Sequence, residues 1–217
     1  LLIESTYGNR IHPAAGDVKA QLARVVLDTF HRGGKVVIPA FAVGRAQELI
    51  YYLRELYAEG AFRGYEHCPV FLDSPLAIEA THIYRENMLG NFDEEAMEMV
   101  HRGENPLTFP GLITTVTAEE SKAINFDERC KVILSASGMC EAGRIRHHLK
   151  HNLWRRENTI LFVGYQAKNT LGRALFDGAK RVRLFGEDIQ VNAHIKSLAG
   201  ISGHADVDGL VRWLQYF

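Results

Sequence analysis

Val36-Val37-Ile38-Pro39-Ala40-Phe41, followed after two residues by Gly44-Arg45-Ala46-Gln47-Glu48-Leu49, joins a short continuous apolar run to the start of a long helical pattern. A strand that is apolar at successive positions is buried on both faces, as parallel strands are when helices cover each side of their sheet. Upstream, Val18, Leu22, Val25, Val26 and Phe30 recur at helical spacing over residues 17-32 and stop at Gly33-Gly34. Downstream the unit repeats. Val70-Phe71-Leu72 precedes helical patterns near 76-88 and 93-101, Val132-Ile133-Leu134-Ser135 precedes one over 143-152, and Ile160-Leu161-Phe162-Val163 precedes one over 170-178. This alternation specifies the α/β class: a mainly parallel sheet with helices on both faces.

Beyond Lys180 the texture changes. Arg181-Val182-Arg183-Leu184-Phe185 and Ile189-Gln190-Val191-Asn192-Ala193-His194-Ile195 alternate polar and apolar, as half-exposed or antiparallel strands do, and Leu210-Val211-Arg212-Trp213-Leu214 reads as an amphipathic helix. A return to a different domain is expected there. The 217 residues, 47% hydrophobic and 24% charged, suffice for a sizeable core. No apolar run approaches the roughly 20 residues that span a bilayer, so no membrane partner is expected. Residue 1 is a leucine within an apolar run, with no charged segment before it, and the chain reads as part of a longer one. Cys68, Cys130 and Cys140 form no CxxC pair and are odd in number, which speaks against a zinc knuckle or a disulfide framework and for a reducing, cytoplasmic setting. The net charge of −1 conceals an asymmetry, because residues 141-183 carry ten Lys/Arg against three Asp/Glu. Such a bias fits either a solvated basic face or a groove for a polyanion.

Several strands end in small or polar residues: Ala42-Val43-Gly44-Arg45, Asp73-Ser74-Pro75, Ser135-Ala136-Ser137-Gly138-Met139 and Gly164-Tyr165-Gln166. In an open parallel sheet these ends share one crevice, where backbone N–H groups and helix N-termini favour an anion such as phosphate. Each alone is ordinary turn chemistry; the series is what points to a site. Two further motifs bracket the chain. Glu4-Ser5-Thr6-Tyr7-Gly8 follows the strand-like Leu1-Leu2-Ile3, and Ser202-Gly203-His204-Ala205-Asp206 follows another apolar run. A carboxylate that orients an imidazole and favours its protonated form makes a general acid; the competing explanation is a helix-cap network built on Ser202 and Asp206. His147 and His151 stand four apart, a spacing that suits zinc, but the arginines and lysine around them favour a solvated basic helix. His12, His31, His67, His82, His101 and His194 are scattered singly and read as surface or satisfied core residues.

Taken in order, Leu2-Ile3-Glu4-Ser5-Thr6-Tyr7-Gly8, Gly44-Arg45-Ala46-Gln47-Glu48, Ser137-Gly138-Met139, Gly164-Tyr165-Gln166 with Thr170-Leu171-Gly172-Arg173, and Ser202-Gly203-His204-Ala205-Asp206 resemble the motifs of the β-CASP nucleases of the metallo-β-lactamase superfamily. The likeness covers essentially the whole chain and is strongest to the bacterial and archaeal RNA-processing members. It implies residues 18-180 as a β-CASP domain, residues 1-17 as the end of a metallo-β-lactamase segment carrying motif A, and residues 181-217 as the return into that domain with motif B. It further implies a ribonuclease hydrolysing phosphodiester bonds of single-stranded RNA, with Glu4 and His204 at the scissile phosphate and His204 as proton donor. Ser202, Arg45, Ser137 and Gly138 are then substrate-binding candidates, and the basic residues of 141-183 face the RNA backbone. A second copy of the chain is a candidate partner.

The same family holds two Zn2+ ions on an HxHxDH motif and further ligands that this sequence does not contain, so metal ligands are expected outside the chain and the segment alone is expected to be inactive. Ala142 and Asn169 stand where the family often has glycine. Two rivals carry different expectations: a non-catalytic RNA-binding scaffold whose metal site has degenerated, and an α/β nucleotide-binding domain that would bind mononucleotides tightly.

Overall fold

The computed structural model describes residues 1–12, 16–198 and 200–217. In chain order the body comprises α1 (Val18–His31), β1 (Lys35–Pro39), α2 (Arg45–Ala58), β2 (Val70–Leu72), α3 (Pro75–Glu86), α4 (Glu94–His101), β3 (Leu112–Thr114), α5 (Ala118–Phe126), β4 (Lys131–Ser135), α6 (Ile145–Asn152), β5 (Thr159–Phe162) and α7 (Leu171–Phe176). A hairpin of β6 (Arg181–Leu184) and β7 (Glu187–Gln190) follows, then β8 (His194–Ser197) and α8 (Val207–Leu214). Helix starts obey local capping chemistry. Asp17, Ser74, Asp93, Thr117, Thr170 and Asp206 each accept an N–H from the first turn of the helix they precede, satisfying donors that would otherwise be orphaned.

Six strands form one sheet in the order β3-β2-β4-β1-β5-β8, and every pairing is parallel. Because side chains alternate across a strand, Val36 and Ile38 of β1, with Val132 and Leu134 of β4, pack under α1, α2 and α3 against Leu22, Leu49 and Leu53. Val37, Ile133, Ile160 and Phe162 point the other way and meet Ile124, Ile145, Leu149 and Leu175 of α5, α6 and α7. Each fully buried side chain of this size is worth roughly 1.5–3 kcal/mol, which is why the central strands have no polar face. Gly34 makes the tight entry to β1 feasible: a Cβ there would lie 1.9 Å from the Glu157 carbonyl oxygen. Gly34→Ala is expected to lower stability by about 1–3 kcal/mol through this overlap. Urea unfolding checks it, and an unchanged midpoint would mean that the Glu157–Asn158 turn beside it gives way freely.

Two sequence expectations need correction, and two elements went unanticipated. Residues 189-195 are not one strand: the Asn192 and Ala193 N–H groups both donate to the Leu153 carbonyl, at 2.8 and 2.9 Å, and this anchor turns the chain out of the antiparallel hairpin into β8. The main sheet thus continues past residue 180. Leu1-Leu2-Ile3 form no strand; they are exposed and have no ladder to join among the described residues. Finally, β3 and α5 had no forecast, since β3 is a three-residue, partly exposed edge strand and α5 buries only Ser121, Ile124 and Asn125.

Candidate active-site cleft

The carboxyl ends of β1, β4 and β5, with the loop after β8, surround a cleft of about 660 Å³ lined by Thr6, Phe41, Gly44, Arg45, Glu48, Met139, Tyr165, Ser202 and His204 among others. This is where an open parallel sheet places its ligand. Glu4 and His204, 200 positions apart in sequence, meet here, with Glu4 Oε2 3.2 Å from His204 Nδ1. The same carboxylate accepts the Thr6 N–H at 3.0 Å and the Ala205 N–H at 2.9 Å, so it is clamped to both motifs. The Thr6 N–H above all, with the Ala205 N–H and the His204 ring behind it, holds the Glu4 carboxyl below the ordinary carboxylate range. Ser202 Oγ accepts the His204 N–H at 3.1 Å, placing a hydroxyl at the rim of the cleft beside the imidazole. With Nδ1 turned to Glu4, the other ring nitrogen of His204 is left for a ligand.

His12, expected to be a lone histidine, belongs to this assembly. Its Nε2–H donates to the His204 carbonyl at 2.9 Å, and its backbone N–H donates to Asp206 Oδ2 at 2.9 Å. Asp206 in turn accepts the Gly209 N–H with its other oxygen and caps α8, so the cap network anticipated as a competing explanation exists alongside the Glu4–His204 contact. Tyr7 lies edge-on to both His12 and Tyr165, with ring centroids 4.7 and 5.6 Å apart. His12 lies eight positions after Glu4, a spacing with no regular period, and that is why the sequence did not single His12 out.

Arg45 lines the cleft and is paired with Glu48 on the first turn of α2. Ser137 and Gly138 sit just behind the wall formed by Met139; the Ser137 hydroxyl accepts the Ala142 N–H at 3.4 Å within its own loop. Asn169 has φ 66°, the left-handed conformation that favours glycine and that asparagine tolerates best among residues with side chains. Arg144, Lys150, Arg155 and Arg173, expected to face the RNA backbone, are each paired with a carboxylate of this chain: Asp73, Glu187, Glu128 and Asp177. His147 stacks on Phe185 at 4.4 Å, and burial lowers the pKa of both His147 and His151.

One cluster is buried outright. Asp73, at the end of β2 and fully inaccessible, accepts Thr115 Oγ1 and Ser121 Oγ at 2.6 Å, Arg144 Nη1 at 2.8 Å and His148 Nε2 at 2.6 Å. Burial pushes its pKa up, but the bonds from His148, Ser121 and Thr115 outweigh that and bring it down to about 2. Arg144 also donates to the Thr115 and Val116 carbonyls, which pins the loop 136–143 against β3.

Among the described residues no group of three or more His, Cys, Asp or Glu side chains could hold a metal ion. Near Glu4 and His204, the His12 ring is engaged by a backbone carbonyl and Asp206 by backbone N–H groups. The described residues do not by themselves fit a zinc centre.

The family model described as the Beta-Casp domain matches residues 46–175. A second, described as the Zn-dependent metallo-hydrolase RNA specificity domain, matches residues 188–217. Among similar proteins, Ribonuclease TTHA0252 of Thermus thermophilus is 39% identical over 215 residues, covering 99% of this chain and 48% of that protein. Transcription termination factor FttA of Methanocaldococcus jannaschii is 39% identical over 223 residues, 99% of this chain and 34% of that protein. An RNase J-like protein of the same archaeon is 36% identical over 217 residues, 99% of this chain and 48% of that protein. The chain thus spans between a third and a half of the length of these relatives.

Proposed function

From the premise that this chain belongs to the β-CASP family of metallo-β-lactamase-type RNA nucleases, we propose that it is the substrate-side part of a ribonuclease that hydrolyses phosphodiester bonds of single-stranded RNA. The observation that carries the reading is the Glu4–His204 pair at 3.2 Å, facing a cleft with a serine hydroxyl beside it. Glu4 orients the ring through Nδ1. The opposite nitrogen gives its proton to the oxygen that leaves when the P–O bond breaks, while Ser202 donates to a phosphate oxygen. Arg45, paired with Glu48, offers its remaining guanidinium N–H groups at the mouth of α2, and the loop of Ser137 and Gly138 shapes the far wall.

The zinc by which the family is described would be held, as a pair of ions, by residues outside this chain. In the same reading the β-CASP domain, bounded by the sequence at 18-180, extends through β8 of the same sheet, and residues 1-17 and the chain after β8 belong to the lactamase-like partner domain. A cytoplasmic location is consistent with three free cysteines, and no helix among the described residues is long and apolar enough to cross a membrane.

The test is cleavage of end-labelled single-stranded RNA by the full-length protein, with a duplex of the same sequence as control. Cleavage of the single strand supports the reading; binding without cleavage would replace it with the scaffold. Glu4→Gln is expected to lower kcat by roughly 10²-fold without weakening RNA binding. A variant as fast as wild type would remove Glu4 from the mechanism.

A further inference from the structure

We propose that Phe41 is a nucleobase platform, seated on Gly138, against which a base of the RNA strand stacks beside the scissile phosphate; the proposal rests on the ribonuclease reading above. Phe41 follows β1 at the edge of the cleft. Its neighbours Ala40 and Ala42 are buried, yet the phenylalanine itself is 48% exposed and shares the cleft with His204 and Ser202. Its backbone is fixed on both sides, since Ala40 N–H donates to the Ser135 carbonyl at 3.1 Å and Ala46 N–H to the Phe41 carbonyl at 3.2 Å.

Gly138 explains why the ring can lie where it does. A Cβ on Gly138 would come within 3.2 Å of the Phe41 ring and 3.3 Å of its backbone nitrogen, so the ring rests on bare peptide. That peptide is itself held: Gln166, 4% exposed, donates from Nε2 to the Gly138 carbonyl at 3.0 Å and to the Gly164 carbonyl at 3.2 Å. The result is an aromatic face that is locked from behind and open in front. Phosphates and riboses cannot cover such a face, whereas every nucleobase has a π surface that can, whatever the sequence. Gly138 is on this account a positioning residue for Phe41 rather than an anion contact.

The experiment uses the full-length protein and an unstructured oligoribonucleotide, alongside copies carrying one abasic nucleotide at successive positions around the cleavage point. Wild type is expected to lose roughly tenfold in kcat/KM when one particular base is removed. Phe41→Leu is expected to lose a similar factor on the intact RNA and to be indifferent to that same abasic site, while Phe41→Trp retains activity. Gly138→Ala should show a partial form of the same defect. Phe41→Leu cleaving intact RNA like wild type, or losing the same factor again on the abasic substrate, would overturn the platform while leaving the nuclease intact. Wild type that cleaves none of the RNAs would overturn the ribonuclease reading itself, and the platform with it.

Discussion

Replacing His204 with alanine in the full-length protein is expected to reduce RNA cleavage by roughly 10²–10⁴-fold, the range supplied by a positioned general acid, with RNA affinity almost unchanged. The two readouts separate because His204 is half-exposed in the cleft and its architectural links run through the backbone. Its N–H is held by Ser202 and its carbonyl by His12, and alanine keeps both. The Ala205 N–H to Glu4 bond also survives, so the loop stays in place without its imidazole. Single-turnover cleavage reads the chemical step and filter binding reads affinity. Cleavage within a few-fold of wild type would show that the leaving oxygen takes its proton from elsewhere.

The second large effect is on stability. Asp73→Ala removes the acceptor for Arg144, His148, Thr115 and Ser121 together, and a buried charge pair broken on one side costs about 3–5 kcal/mol. For a chain of this length that corresponds to a fall in Tm on the order of 10 °C. The pH dependence has a definite sign. The folded pKa of Asp73 is about 2 against an ordinary 3.8, so the carboxylate contributes stability that is complete above about pH 4 and is lost as pH falls from there toward 2. The difference is worth about 2 kcal/mol. Wild type and variant should therefore converge in Tm as the solution is acidified through that window. A gap that stays constant down to pH 2 would mean that the ionised form is not the one being stabilised. Because Arg144 ties this cluster to the loop that seats Phe41, loss of Asp73 should also weaken RNA binding.

The features visible in the sequence were those governed by short-range rules. Val36–Ile38, Val132–Leu134 and Ile160–Phe162 announce buried parallel strands because a residue exposed on neither face must be apolar. Glu4 and His204 stand out in the sequence as polar residues directly after apolar runs, although Leu1-Leu2-Ile3 form no strand and the Glu4 carboxylate is tied to the second motif by the Ala205 N–H. The misses are relations between distant positions. His148 lies 75 residues from Asp73, and nothing local to either announces the bond between them. The basic segment 141-183 was legible as charge, but not that four of its ten basic side chains are held by carboxylates, since Glu187, Glu128 and Asp73 reach it only through the fold. β3 escaped because a short edge strand, paired on one side, has no need of a continuous apolar code.

The parallel bridge between Tyr7 and Asp206 sets the two crossing points of the chain side by side. Backbones joined in this way run about 5 Å apart, so the almost two hundred residues between them leave and return through a gap no wider than a tight turn. A unit of this form closes its own loop by folding and would impose little closure entropy on any fold that carried it. Its length and sequence can drift, and whole elements can be added at its far edge, without displacing the carboxylate and imidazole that stand at the gate.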